Sequence, residues 1–148
     1  MILRWLLAAL HLLALAIGPA AVFARGRALS SSPDRAGLSR AFFADNLWGI
    51  AAGIWLLTGI PRLLFTEKGV AYYMQHPLFL TKLVLFLAIF ALEVWPMVTL
   101  IRWRIALRKG ATPDLSAAPR IAAISFLQLA LVLVIVLLIT AVARGYWA

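Results

Sequence analysis

The sequence predicts an all-α integral membrane protein, an antiparallel bundle of four transmembrane helices, and three observations predict it. Of 148 residues, 65% are hydrophobic and 13% charged, against roughly 45–50% and about 25% in soluble domains. The apolar residues fall into four blocks, each long enough for the roughly 20 residues that cross a bilayer core. Polar residues gather between the blocks instead of along one face of each, so every helix is apolar nearly all round. Residues 1–148 read as one transmembrane domain without internal repeats.

The first block, 2–24, begins like a signal peptide, with Arg4 ahead of an apolar run. That run lasts from Trp5 to Phe23, longer than a secretory h-region, and Ala24-Arg25-Gly26-Arg27 follows where a small-residue cleavage site would stand. It reads as a retained helix. Residues 25–40 form a polar connector with Ser30, Ser31, Ser32 and Pro33. Helix two is expected over 41–65 and a short connector over 66–76. Helix three follows over 77–101. Gly110, Pro113 and Pro119 mark the connector after it, and helix four spans 121–143. Pro19 and Pro96 each remove a backbone donor and are expected to kink their helices. Gly49 and Gly53 form a G-x-x-x-G pair one turn beyond Asp45, which predicts close approach of a neighbouring helix, within the bundle or in a homodimer.

Charge gives the orientation. The two long connectors hold Arg25, Arg27, Arg35, Arg40, Arg102, Arg104, Arg108, Lys109 and Arg120. The opposite side has Arg4, Arg62, Lys68 and Arg144. The positive-inside bias therefore predicts cytoplasmic long loops and periplasmic termini in a bacterial inner membrane. Aromatic belts agree: Trp5, Tyr72, Tyr73, Tyr146 and Trp147 outside, Phe42, Phe43 and Trp103 inside. The net charge of +9 is thus spent on orientation beside lipid, and nucleic acid is not an expected partner. With no cysteine, disulfides, iron–sulfur clusters, thiolate zinc and c-type haem attachment are excluded.

Ionisable groups inside a span cost about 2.5–3.5 kcal/mol each on insertion scales, so they tend to be paired and functional. His11, Asp45, Lys82 and Glu93 are such groups, joined by the neutral Asn46 and Gln128. Depth sorts them into two layers. His11 and Lys82 fall in the outer half; Arg25, Asp45, Asn46, Glu93 and Gln128 fall in the inner half. Lys82 and Glu93 share one helix face but are separated by about 16 Å at 1.5 Å per residue, so each needs partners from elsewhere. The only histidines are His11 and His76. At most one bis-histidine haem fits, and a single haem with His11 as the metal ligand is the more natural form. The scattered Met1, Met74 and Met97 do not make a copper site.

The strings LHLLALAIGPAAVFARGRAL, ADNLWGIAAGIWLLTGIPR, EKGVAYYMQHPLFLTKLVLF and LEVWPMVTLIRWR resemble an uncharacterised bacterial four-helix membrane family, domain of unknown function 2214. A fainter resemblance is to HemJ-type protoporphyrinogen oxidases and CopD-like membrane proteins. It rests on Ala9-Leu10-His11 early in helix one, Arg27 near its cytoplasmic end, and Lys82 early in helix three. This resemblance implies haem b or a porphyrin, with His11 as ligand and with Arg27 and Lys82 holding propionates, since exposed carboxylates call for charged donors. The leading expectation is a haem- or porphyrin-associated membrane redox protein. The alternative is a non-catalytic accessory subunit of a larger respiratory or photosynthetic membrane complex. A third reading is a small transporter or proton path through Asp45 and Glu93.

Overall fold

The computed structural model describes residues 2–64, 69–75 and 77–144. Its elements are α1 (Ile2–Leu29), α2 (Arg35–Leu64), α3 (Gly69–Met74), α4 (Pro77–Arg108) and α5 (Ala118–Ala143). The four long helices are each long and apolar enough to cross a membrane, and no strand occurs among the described residues. The short α3 lies within the predicted 66–76 connector. His76, Lys68, Tyr146 and Trp147, and the side chains of Arg62, Tyr72 and Tyr73, lie outside the described residues.

The long helices overrun the predicted spans, chiefly at their arginine-rich ends. Hydropathy marks only the hydrocarbon-facing part, whereas helical hydrogen bonding continues through charged residues until something stops it. What stops or starts it is local. Ser30 Oγ donates to the Arg27 carbonyl at 3.0 Å just past α1. Asp34 caps α2, accepting the Gly37 N–H at 2.7 Å. At the end of α4, Gly110 adopts φ +73°, its N–H bonds Leu107 O, and the Ala111 N–H bonds Ala106 O. That pairing is the Schellman stop, and it requires the left-handed residue. The helical assignment runs unbroken through Pro19 and Pro96. Arg25 therefore does not lie in a connector; it is the buried last-but-one turn of α1.

α1 packs against α2 and α5, and α4 packs against α5. α2 and α4 face each other without comparable backbone approach. Burial follows alternating steps of three and four residues: Ala41, Ala44, Trp48, Ala51, Trp55 and Thr58 on α2, and Ala118, Ile121, Ser125, Gln128 and Val132 on α5. This is the seam of a left-handed bundle. The close approaches come from α1. A Cβ on Gly18 would stand 2.6 Å from the Trp55 ring, and one on Gly26 2.8 Å from Phe126. Around Gly49 and Gly53, by contrast, a Cβ would meet nothing within 4 Å, so the predicted G-x-x-x-G contact does not occur within the bundle. Packing is also uneven along the axis. Trp103, expected in an interfacial belt, is instead buried with Leu29, Leu38, Leu100 and Ile121 near the arginine-rich end. No described side chain of 2–13 on α1 or 77–88 on α4 is buried.

Candidate functional site

The largest polar constellation centres on Arg25, which is 0% exposed. A guanidinium has five N–H donors, and the bundle supplies five acceptor contacts. Nε donates to Ser125 Oγ at 2.9 Å. Nη1 donates to Asp45 Oδ1 at 2.9 Å and to Glu93 Oε1 at 2.7 Å. Nη2 donates to Glu93 Oε2 at 2.9 Å and to Gln128 Oε1 at 2.8 Å. The Arg25–Glu93 pair is thus a two-pronged fork, the geometry that suits arginine and not lysine.

Its partners are themselves held. Gln128 Nε2 donates to Glu93 Oε2 at 2.8 Å and to the Ile89 carbonyl at 3.1 Å. The Trp48 indole N–H donates to Glu93 Oε2 at 3.0 Å. Arg104 Nη2 donates to Asp45 Oδ2 at 2.8 Å and to the Phe42 carbonyl at 3.0 Å. Two guanidiniums and two carboxylates leave no net charge. All four long helices contribute: Arg25 from α1, Asp45 and Trp48 from α2, Glu93 and Arg104 from α4, Ser125 and Gln128 from α5. Removing one of the ion-paired members strands its partner's charge, at a typical cost of about 3–5 kcal/mol.

His11 occupies the thinly packed half. Its Nδ1 lies 2.7 Å from Thr58 Oγ1, and Thr58 Oγ1 in turn donates to the Ile54 carbonyl at 2.6 Å. A carbonyl only accepts, so the single hydroxyl hydrogen of Thr58 goes to Ile54. The hydroxyl then receives a hydrogen from His11, which places a proton on Nδ1. Lys82, half-buried on α4, carries its Nζ 5.8 Å from the centre of the Phe79 ring. Among the described residues no group of three or more His, Cys, Asp or Glu side chains could hold a metal ion.

Residues 3–146 match the family described as "Predicted membrane protein (DUF2214)". The chain belongs to that family. No curated protein and no solved structure matches this DUF2214 chain significantly.

Of the inner-layer residues named from the sequence, the fold brings Arg25, Asp45, Glu93 and Gln128 into one hydrogen-bonded set. Asn46 stays outside it, exposed on α2, because the neighbouring Asp45 points to the seam and successive helical residues diverge by about 100°. Arg27 is exposed and stands sixteen residues beyond His11 along an unbroken helix. At 1.5 Å per residue that is about 24 Å, so Arg27 cannot hold a propionate of a porphyrin ligated at His11. Sequence reasoning missed Trp48, Ser125 and Thr58 and took Arg104 for a connector charge. Their signal was position: Trp48, Thr58 and Ser125 all sit at seam spacing.

Proposed function

We propose that this DUF2214 chain is a haem- or porphyrin-associated protein of the bacterial inner membrane, with His11 as the residue that would ligate the iron. The observation that supports this is the hydrogen-bond chain from His11 Nδ1 through Thr58 to the Ile54 carbonyl. Histidines that ligate metals characteristically give their other ring hydrogen to such an acceptor, which fixes the ring's orientation and raises its basicity. The thin packing of the surrounding helix faces is consistent with a large apolar group between them. Lys82, towards the same end of the bundle, is the residue suited to a propionate; Arg27 is withdrawn from that role. A haem b bound there would supply one-electron chemistry.

The absorption spectrum of the detergent-purified protein tests the reading. A Soret band that His11→Ala abolishes is the expected result, and Thr58→Val should lower haem affinity about 10–100-fold. An iron-free, colourless preparation from haem-replete cells overturns it.

The accessory-subunit reading has its own support. Every donor of Arg25 is consumed inside the bundle, as befits a group whose task is to hold helices. Co-purification with a respiratory or photosynthetic assembly, and no cofactor in the isolated chain, would favour it. The same pairing weakens the case for transport through Asp45 and Glu93, and undiminished flux in Glu93→Gln would dismiss that third reading.

A further inference from the structure

Where α2 and α4 face each other the bundle is open. A groove of about 510 Å³ lies between them, with Gly49 and Ile50 on one wall and Met97 and Ile101 on the other. Towards the arginine-rich end it meets a second recess of about 330 Å³ lined by Phe42, Leu107 and Arg108. Asn46 and Arg104 line both, so the two form one path along the helices. Each volume falls within the roughly 300–1,000 Å³ of small-molecule sites.

The chemistry of the path changes along its length. At the arginine-rich end its spare polar capacity is mostly donor capacity. Arg104 Nε is buried and meets no acceptor among the described residues, Arg108 is exposed, and the Asn46 amide is beside them. Asp45 also lines the groove, but its two oxygens already accept from Arg25 and Arg104. Deeper in the membrane the walls are apolar and glycine leaves them wide. A buried donor in hydrocarbon is costly unless an acceptor reaches it.

We propose that the α2/α4 groove holds an anionic phospholipid, its phosphate at Arg104 and Arg108 and one acyl chain along Gly49, Ile50, Met97 and Ile101. A phosphate diester offers acceptors and negative charge to a site of donors and positive charge, and basic recesses between helices near a membrane surface suit such headgroups. A second copy of the chain fits less well. A twofold contact sets the same patch against itself, bringing Arg104 and Arg108 towards their own counterparts. The site is separate from His11 and does not depend on any cofactor there.

Native mass spectrometry of the full-length protein in detergent, with phosphatidylglycerol or phosphatidylcholine added, tests the site. We expect phosphatidylglycerol to be retained at least ten-fold over phosphatidylcholine. Arg108→Gln and Gly49→Leu should each remove that preference, the first at the headgroup and the second by filling the groove. Gly49→Leu has room to fold, since a Cβ there meets nothing within 4 Å, and an unchanged thermal midpoint would verify it. Arg102→Gln, an exposed arginine at the same end that does not line the groove, should keep the preference. Equal retention of the two lipids overturns the proposal, as does a preference that survives both groove variants or is lost equally in Arg102→Gln. A wild-type dimer that Gly49→Leu dissociates would assign the groove to a second copy instead.

Discussion

Arg25 is the residue on which the polar interior depends, and its substitutions should rank by how many acceptors they strand. Arg25→Ala leaves Glu93 and Asp45 without their shared cation and should cost about 3–5 kcal/mol. Arg25→Lys keeps the charge but offers three donors in place of a five-donor fork, so an intermediate loss is expected. Gln128→Leu removes a neutral side chain and leaves Arg25 and Glu93 paired with each other, and interhelical hydrogen bonds in membranes average about 0.6 kcal/mol; a loss near 1 kcal/mol is expected. Unfolding midpoints in detergent measure all three, and equal losses for Gln128→Leu and Arg25→Ala would refute the ranking. Outside the membrane, Asp114 accepts the Ser116 backbone N–H and hydroxyl, both at 2.9 Å, ahead of α5. The backbone bond first, then the hydroxyl, hold its carboxyl below the ordinary 3.8. A depressed folded value means the turn's stabilisation is complete above about pH 4 and is lost as pH falls through the folded pKa. An NMR titration should show Asp114 moving only part of the way back towards 3.8 in Ser116→Ala, because the larger cause remains. Composition alone singled out Asp45, Glu93 and Gln128, since a polar side chain is conspicuous in an apolar run. Depth put Arg25 in the same inner layer; it could not show that Arg25, beside Gly26 and Arg27, is fully buried and gives all five N–H donors to the other helices.

At the scale of the helix, the two sets of glycines should respond in opposite ways. Gly18→Ala places a methyl 2.6 Å from the buried Trp55 ring, and overpacking of that kind costs about 1–3 kcal/mol. Gly49→Ala meets open space and gains helix propensity, up to about 1 kcal/mol. Thermal unfolding of the two variants in detergent, without added phospholipid, checks the signs; a destabilised Gly49→Ala under those conditions would mean that a second copy packs there. The existence of four helices was legible because lipid demands long apolar runs. Their inward faces were not, because lipid-facing residues are as apolar as packed ones and leave no amphipathic contrast. What marks the seam is smallness and polarity at alternating three- and four-residue steps. Ala14, Gly18, Ala21 and Arg25 on α1 carry that pattern, whereas the G-x-x-x-G motif on α2 drew attention to the wrong face. Helix ends were overrun for a related reason: the stops at Asp34 and Gly110 are matters of cap geometry, which hydropathy does not register.

For the whole molecule, orientation and rigidity make separate expectations. The arginine excess at one end persists even though Arg25 is buried, so reporter fusions should place both termini outside the cytoplasm; a cytoplasmic C-terminal reporter would reverse every inside–outside assignment. Buried packing concentrates between the middle of the bundle and its arginine-rich end. Amide exchange should accordingly be slowest from Ala14 to Leu29 and from Ala118 to Val132, and faster over 2–13 and 77–88. Uniform protection along α1 would show that a partner or ligand completes the thin half.

The acceptors of Arg25 arrive in the order in which the chain is made: Asp45 on α2, Glu93 on α4, and finally Ser125 and Gln128 on α5. During synthesis the early hairpin is neutral as soon as Asp45 enters the bilayer, yet the guanidinium keeps dangling hydrogens until the last helix is laid in. A ribosome that stalls before that point therefore releases a product recognisable as unfinished, and membrane-bound proteases should clear a chain cut at residue 117 much faster than the full-length protein.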